Sequence, residues 1–436
     1  MTAARPPHPL IESFQAAVAA ADPLRIVAGH LPPPPSGRVL VVGAGKAAAS
    51  MAAAVEAAWS QVALDGLVIT RYGHGLPTAR IRVVEAGHPV PDAAGEAAAR
   101  QVLRRARSLG PGDLLLALVS GGGSALLSLP ADGVSMADLK ATTRELLRCG
   151  APIEQMNVVR KHLSQIQGGR LAQAAAANGA QVLALVVSDV TGDNPADIAS
   201  GPCAPDPSTF GDAQAILRRH GCAVPPAVAQ HLARGAGGEL PETPKPEDPL
   251  FGRVRNVVIA TAQDSLQAAA AVFQRQGMRT AILGDTVTGE AREVAKVYAA
   301  LVRQVRQHGA PVAAMAPPVA LISGGECTVT LPPGPAGAGA RGGRCSEFLL
   351  SLALELHGVP GVAALAADTD GIDGTEDNAG AWWSSDDDAR TGADAAGKAA
   401  HLARHDAYGW FAARERLVVT GPTRTNVNDY RVIVVR

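Results

Sequence analysis

Aromatic side chains are scarce, at 3% of 436 residues, although 47% of the chain is hydrophobic. Its cores must therefore be built from Val, Leu, Ile and Ala. Net charge is nearly absent too: 39 Lys+Arg against 40 Asp+Glu leave −1. With both signs interspersed, neither nucleic acid nor an anionic membrane is expected as a partner, while a local basic pocket for a small anion remains compatible. The five cysteines, Cys149, Cys203, Cys222, Cys327 and Cys345, form no CxxC pair, and the eleven histidines show no HExxH. This argues against structural zinc and against a disulfide framework, and points to reduced thiols in a cytoplasmic protein. No apolar run approaches the roughly 20 residues of a membrane-spanning helix. The amino terminus lacks a signal-peptide pattern, because Leu10–Ala21 reads as an amphipathic helix interrupted by Glu12, Ser13 and Gln15.

What the chain does have is glycine at the ends of apolar runs. Val39–Val42 leads into Gly43-Ala-Gly45-Lys46, and Leu114–Val119 into Ser120-Gly121-Gly122-Gly123-Ser124. Ala320–Ile322 leads into Ser323-Gly324-Gly325-Glu326, and Val362–Ala366 into a loop carrying Asp368, Asp370 and Asp373. Glycine lets backbone N–H groups approach an anion, and a helix start behind the turn adds positive dipole. Four such turns point to an enzyme that handles phosphate together with a metal.

Strand and helix patterns alternate along the chain, which predicts an α/β fold of two domains, each a mostly parallel sheet flanked by helices. Leu114–Val119 and Val182–Val187 show no alternation and read as strands buried on both faces. Further helices are expected at Asp92–Arg107, Ser135–Arg148 and Val158–Asn178. Residues Gly235–Pro249, rich in Pro, Gly, Glu and Lys, read as a linker, dividing the chain into 1–240 and 250–436. Asn256–Ala260 then opens the second region, and Pro332–Gly343 reads as a long Gly/Pro/Ala loop.

Gly43-Ala-Gly45-Lys-Ala-Ala48 fits the dinucleotide fingerprint G-x-G-x-x-G/A. No ribose-binding acid ends the next strand; Thr70-Arg71 stands there, and an arginine at that point is compatible with a 2′-phosphate and hence with an NADP enzyme. The segment is not a Walker A loop, because Ala47 occupies the Ser/Thr position. Lys46, just inside a helix start, opposes the helix dipole unless it meets an anion. Asn157, Arg160 and Lys161 place two adjacent cations where a carboxylate or phosphate is expected; the alternative is a solvated face. Asp189 and Asp193 follow a buried strand, where Asp189 suits magnesium ligation or proton acceptance, or else a simple Asx-turn. Asp368, Asp370 and Asp373 offer hard oxygen ligands for a divalent cation, with Asx-turns again the alternative. Arg344 brings a planar fork suited to phosphate, and Asn426 lies in a polar loop between two late strands.

Taken in order, these stretches resemble the glycerate 2-kinases of the MOFRL type. The resemblance runs through Val42–Ala48, Gly87–Asp92, Ser120–Leu127, Asn157–Leu171, Ser188–Gly201, Gly284–Val294, Ser323–Thr330, Gly342–Phe348, Asp368–Gly380 and Thr420–Asp429. It implies an active site in an interdomain cleft, ATP and D-glycerate as substrates, and Mg²⁺ or another divalent cation. It also implies that Lys46 and Arg344 are the family's essential lysine and arginine. A homodimer is compatible with it. Relatives named hydroxypyruvate reductase supply the rival, an NADP-dependent reductase. The chain departs from the family pattern where Cys345-Ser346 replace Asn-Gln, Arg424 replaces glycine and Thr191 replaces proline.

Overall fold

The computed structural model describes residues 8–309, 316–332 and 339–436. Residues 333–338 of the expected Gly/Pro/Ala loop therefore lie outside the described residues. The chain forms two units, Pro23–Ile259 and a second made of the chain up to Asp22 with Ala260–Arg436.

In the first unit six strands form one sheet: β1 (Val39–Ala44), β2 (Leu64–Arg71), β3 (Ile81–Ala86), β4 (Leu114–Val119), β5 (Gln181–Val187) and β6 (Val254–Ala260). Their order is β3-β2-β1-β4-β5-β6, and β1 to β5 pair in parallel. Every residue of β1 and β4 is buried, as runs without alternation require when helices cover both faces. The chain proceeds outward from β1 through β2 and β3, then returns to place β4 on the other side of β1. The sheet's switch point therefore lies between β1 and β4, where connections diverge and open α/β sheets take ligands.

Helices Met136–Arg148, Ile153–His162, Phe210–Arg219 and Pro226–Ala236 close over a separate apolar cluster that includes Leu146, Val159, Phe210 and Leu232. Two of them start in capping boxes, Ser135 with Asp138 and Thr209 with Asp212, which satisfy the first free N–H groups. The single helix expected over Val158–Asn178 is in fact two, Ile153–His162 and Arg170–Ala176. The break falls at Gly168 and Gly169, both left-handed with φ of +59° and +80°.

The second unit's strands are β7 (Arg279–Glu290), β8 (Val319–Thr328), β9 (Val362–Asp368), β10 (Gly380–Ser384), β11 (Leu417–Val418) and β12 (Asp429–Val435), in the order β11-β10-β9-β12-β8-β7. The expected parallel arrangement holds in the first sheet. Here β7 and β8 pair parallel, while β12 runs antiparallel to both β8 and β9, and β10 antiparallel to β9 and β11. For β10 the reason is connectivity: only a loop, with no crossover helix, joins β9 to β10, so the chain must reverse there. The two faces follow the period of two. Tyr430, Val432 and Val434 pack on the side of helix Ala262–Arg275, and Ile433 and Val435 on the side of helices Ala291–His308 and Arg344–Glu355.

The units depart from the expected division at 240 and 250. β6 completes the first sheet, and the amino-terminal helix His8–Ala20 belongs to the second unit. Leu10, Phe14 and Ala17 of that helix are buried against a cluster that includes Phe273 and Tyr430. Tyr430 Oη donates to Ser13 Oγ at 2.9 Å, and Thr425 Oγ1 donates to the Ala21 carbonyl at 2.7 Å.

Candidate functional site

The glycine turns after β1 and β4 interlock. Lys46 N–H donates to the Gly121 carbonyl at 2.8 Å, and Ala47 N–H donates to Ser120 Oγ at 3.0 Å. Gly45 N–H reaches the Ile69 carbonyl of β2 at 3.1 Å. A Cβ on Gly45 would stand 2.1 Å from Ser120 Oγ, and one on Gly43 would stand 2.3 Å from the Leu118 carbonyl. These glycines are thus required by the close approach of two strand ends. Lys46 leaves this knot two residues before helix Ala48–Ala58 begins.

Gly122 shows which side chains gather at the turn. Its φ is +80°, and a Cβ there would lie 3.0 Å from His88 Nε2 and 3.5 Å from Lys46 Cγ. Lys46 and His88 therefore both border Gly122 at the bare edge of the Ser120–Ser124 turn. His88 was not singled out as a site residue by sequence; its only signal was membership of the Gly87–Asp92 stretch. Asp92 fixes that stretch by accepting from Gly87 N–H at 2.9 Å, Gly95 N–H at 2.9 Å and Tyr72 Oη at 2.8 Å. Burial opposes its ionisation, but these hydrogen bonds prevail and hold its carboxyl below the usual range.

From Ser124 a polar chain runs inward. Ser124 Oγ and Ser200 Oγ are 2.9 Å apart, Ser200 Oγ donates to Asn157 Oδ1 at 3.2 Å, and Arg160 Nη1 donates to the same oxygen at 3.4 Å. Ala199, Ser200 and Gly201 are consecutive left-handed residues, with φ of 53°, 58° and 58°. Such strain persists only where the surroundings enforce it. Here Gly168 N–H donates to the Ser200 carbonyl at 2.9 Å and Gly169 N–H to the Gly201 carbonyl at 2.7 Å. The only sequence signal for Ser200 is its membership of the Ser188–Gly201 stretch.

The two adjacent cations part company. Lys161 is buried with its Nζ 3.5 Å from Asp206 Oδ1, so its charge is matched inside the protein. Arg160 forms no ion pair among the described residues, and burial pushes its pKa down. A partly desolvated guanidinium without a carboxylate is suited to an anionic ligand. Asp189 and Asp193 lie in the loop after β5, both half-buried. Asp193 has φ of 51° and its N–H reaches the Val190 carbonyl at 3.3 Å.

In the second unit Arg344 opens the helix Arg344–Glu355. Its Nε donates to Asp429 Oδ1 at 2.7 Å, its Nη2 to Asp368 Oδ2 at 2.7 Å, and its Nη1 lies 3.2 Å from Glu326 Oε1. Three strands, β8, β9 and β12, each send one carboxylate to the fork. Burial disfavours the cation, but Asp429, Asp368 and Glu326 outweigh it and hold its pKa well above the usual value. Arg431 reinforces the cluster, bonding Asp429 Oδ2 at 2.5 Å and the Gly324 carbonyl at 2.9 Å. Arg431 is not among the sequence candidates, and Asp429 enters them only as the end of the polar stretch Thr420–Asp429; two charges inside the apolar run of β12 were the available signal. Ser323 is buried, and Gly325 has φ of +105° where a Cβ would meet Val287 at 2.3 Å. Asn426 is buried and turns the chain by accepting from Asn428 N–H at 3.3 Å.

The expected D-x-D-x-x-D metal ligand set is not assembled. Asp368 is engaged by Arg344 and accepts from Asp370 N–H at 3.0 Å, and Asp370 accepts from Ile372 N–H at 2.8 Å. Asp373 accepts from Cys345 N–H at 2.9 Å, Ser346 N–H at 2.8 Å and Ser346 Oγ at 2.5 Å, so it caps the helix that Arg344 opens. Burial nevertheless pushes its carboxyl up to about 6. Among the described residues no group of three or more His, Cys, Asp or Glu is arranged to hold a metal ion.

Comparison with known proteins gives this geometry its context. Residues 10–233 match the domain of unknown function DUF4147, and residues 319–429 match the MOFRL family. Over 92% of this chain and 88% of its own, the glycerate 2-kinase of Pyrococcus horikoshii is 39% identical. The chain belongs to the glycerate 2-kinase family of the MOFRL type. A crystal structure of glycerate kinase from Thermotoga maritima superposes with a TM-score of 0.83 at 35% identity, covering 98% of this chain and 99% of that one. A protein of Agrobacterium vitis provisionally named hydroxypyruvate reductase is 48% identical over 97% of this chain and 93% of its own. Within the family frame, Lys46, His88 and Arg160 fall in the DUF4147 match, and Arg344 with its three carboxylates falls in the MOFRL match. No helix among the described residues is long and apolar enough to cross a membrane.

Proposed function

We infer that this chain transfers the γ-phosphoryl group of ATP to the 2-hydroxyl of D-glycerate, giving 2-phosphoglycerate and ADP. The observation that carries this reading is Lys46 bordering the glycine turn at the sheet's switch point, in a chain of the glycerate 2-kinase family. Phosphoryl transfer is mostly positioning and charge neutralisation. Lys46 neutralises phosphate oxygens, and within the Ser120–Ser124 turn the N–H groups of Gly121 and Gly122 orient them, those of Ser120 and Gly123 being donated to the Ala44 and Ser120 carbonyls. Arg160 holds the glycerate carboxylate, its fork braced by Asn157. The substrate hydroxyl attacks phosphorus as the bond to the ADP oxygen breaks, and Asp189 accepts the hydroxyl proton. Arg344, already matched by three carboxylates, is a positioning residue that fixes the ends of β8, β9 and β12.

Mg²⁺ is part of the same proposal, in a limited form. Asp368 and Asp373 do not suit it, because their oxygens are engaged by Arg344 and by a helix start. A magnesium ion travelling with ATP keeps phosphate and water ligands and needs only one or two carboxylates. Asp189, Asp193 and Asp370 are the remaining candidates, and the setting we propose is cytoplasmic.

A second reading, NADP-dependent reduction of hydroxypyruvate, is favoured by the fingerprint fit of Gly43–Ala48 and by Arg71 at the end of β2. Against it, Gly43 and Gly45 are demanded by contact with β4 whether or not a dinucleotide binds. Incubation with D-glycerate, ATP and Mg²⁺ followed by ³¹P NMR separates the two. A 2-phosphoglycerate signal is expected. Absence of any phosphorylated product, with NADPH oxidised by hydroxypyruvate, would replace the kinase by the reductase.

A further inference from the structure

Two thiols outside the residues given roles above lie against each other. Cys149 ends the helix Met136–Arg148, and Cys222 follows the helix Phe210–Arg219. Their Sγ atoms are 3.1 Å apart, inside van der Waals contact, and both side chains are half-exposed. Each is fixed by the same backbone device, a left-handed glycine closing a helix. Gly150, with φ of +70°, donates to the Leu147 carbonyl, and Ala151 N–H donates to the Leu146 carbonyl. Gly221, with φ of +60°, donates to the Arg218 carbonyl, and Cys222 N–H donates to the Leu217 carbonyl. Leu146 and Leu217 belong to one apolar cluster, and Cys222 packs against it, so the two helix ends are held together independently of the sulfurs. Burial and the Cys149 thiol beside it push the Cys222 thiol up to about 11, so Cys222 waits as the thiol. Cys203, Cys327 and Cys345 differ: each is buried, at 1%, 2% and 0% exposure.

We propose that Cys149 and Cys222 form an oxidisable dithiol that closes to an intrachain disulfide when it meets a disulfide oxidant such as oxidised glutathione. The two protein S–H bonds and the oxidant's S–S bond break. One protein S–S bond forms, and two molecules of reduced thiol leave with the protons. The protein sulfurs lose two electrons and the oxidant gains them. The bond closes a loop across 73 residues that includes Asn157, Arg160, Asp189 and Ser200. It therefore restrains the unfolded chain around those residues more than it alters the folded one. In a reducing cytoplasm the pair stays open, and oxidative load closes it.

The test uses the purified full chain, treated with oxidised glutathione, alkylated and digested with trypsin without reductant. The expected product is the peptide Cys149–Arg160 linked to His220–Arg234, abolished by dithiothreitol. Thiols counted in denaturant fall from five to three, and the melting temperature rises by about 4 °C or more, reversibly. Cys222→Ser keeps the melting temperature of the reduced protein and loses both the link and the rise; Cys149→Ser serves as the independent second variant. Five thiols remaining, or glutathione mixed disulfides at these positions without the linked peptide, would overturn the proposal.

Discussion

Lys46 stands two residues before a helix start, in the interlocked turns after β1 and β4. A cation at a helix start is opposed by the helix dipole at a cost of up to about 1 kcal/mol. His88 borders the same Gly122. Lys46→Met should therefore lower kcat/KM by about 10²- to 10³-fold or more, the scale of losing a fixed charge at developing negative charge. Its melting temperature should match or slightly exceed that of the wild type, since the opposed charge is gone. An ADP-release assay checks the first and calorimetry the second; near-normal turnover would remove Lys46 from the mechanism. Arg344 presents the opposite case. Removing it leaves Asp368 and Asp429, with side chains 3% and 0% exposed, without their shared cation. Arg344→Ala should cost about 3–5 kcal/mol of the second unit's stability. Urea titration followed by tryptophan fluorescence measures it, and an unchanged midpoint would show that Arg431 alone suffices to balance Asp429.

At the scale of elements, the turn after β1 shows how a glycine motif arises from packing. Gly45→Ala would place Cβ 2.1 Å from Ser120 Oγ in a backbone with φ of +137°. The expected loss is about 3 kcal/mol, from backbone strain and overpacking together. Gly73→Ala is the control: its φ is +77°, but nothing lies within 4 Å, so about 1–2 kcal/mol is expected from the left-handed backbone alone. Equal losses in thermal unfolding would mean that the contact with β4 is soft. The same elements show what could be read in advance. β1, β4 and β5 were legible because both faces are buried, leaving continuous apolar runs that stop at glycine. The reversal of β10 was not, since Gly380-Ala-Trp-Trp-Ser384 carries no alternation and only its pairing with β9 defines it. The three carboxylates around Arg344 were equally hidden. Asp368 and Asp429 lie 24 and 85 residues away, so local spacing could not distinguish a metal loop from an ion-paired, helix-capping one.

At the scale of the whole molecule, sequence order and structural membership diverge. Pro, Gly and charge at 235–249 look like a linker, yet the chain continues through β6 before leaving the first sheet. The opposite end is displaced further, because the helix His8–Ala20 is built into the second unit. Phe14 is 1% exposed, and its ring lies 5.9 Å from that of Tyr430 in β12. Truncating a buried phenylalanine to alanine typically removes about 3–5 kcal/mol. If membership follows packing, Phe14→Ala should accelerate hydrogen exchange in β9, β12 and the helix Ala262–Arg275. β1 and β4, some 25 and 100 residues further along the chain, should keep wild-type protection, since exchange follows cooperative packing units and not sequence distance. Faster exchange in β1 and β4 to the same degree would mean that the amino-terminal helix stabilises both units alike, and the assignment of His8–Ala20 to the second would fail.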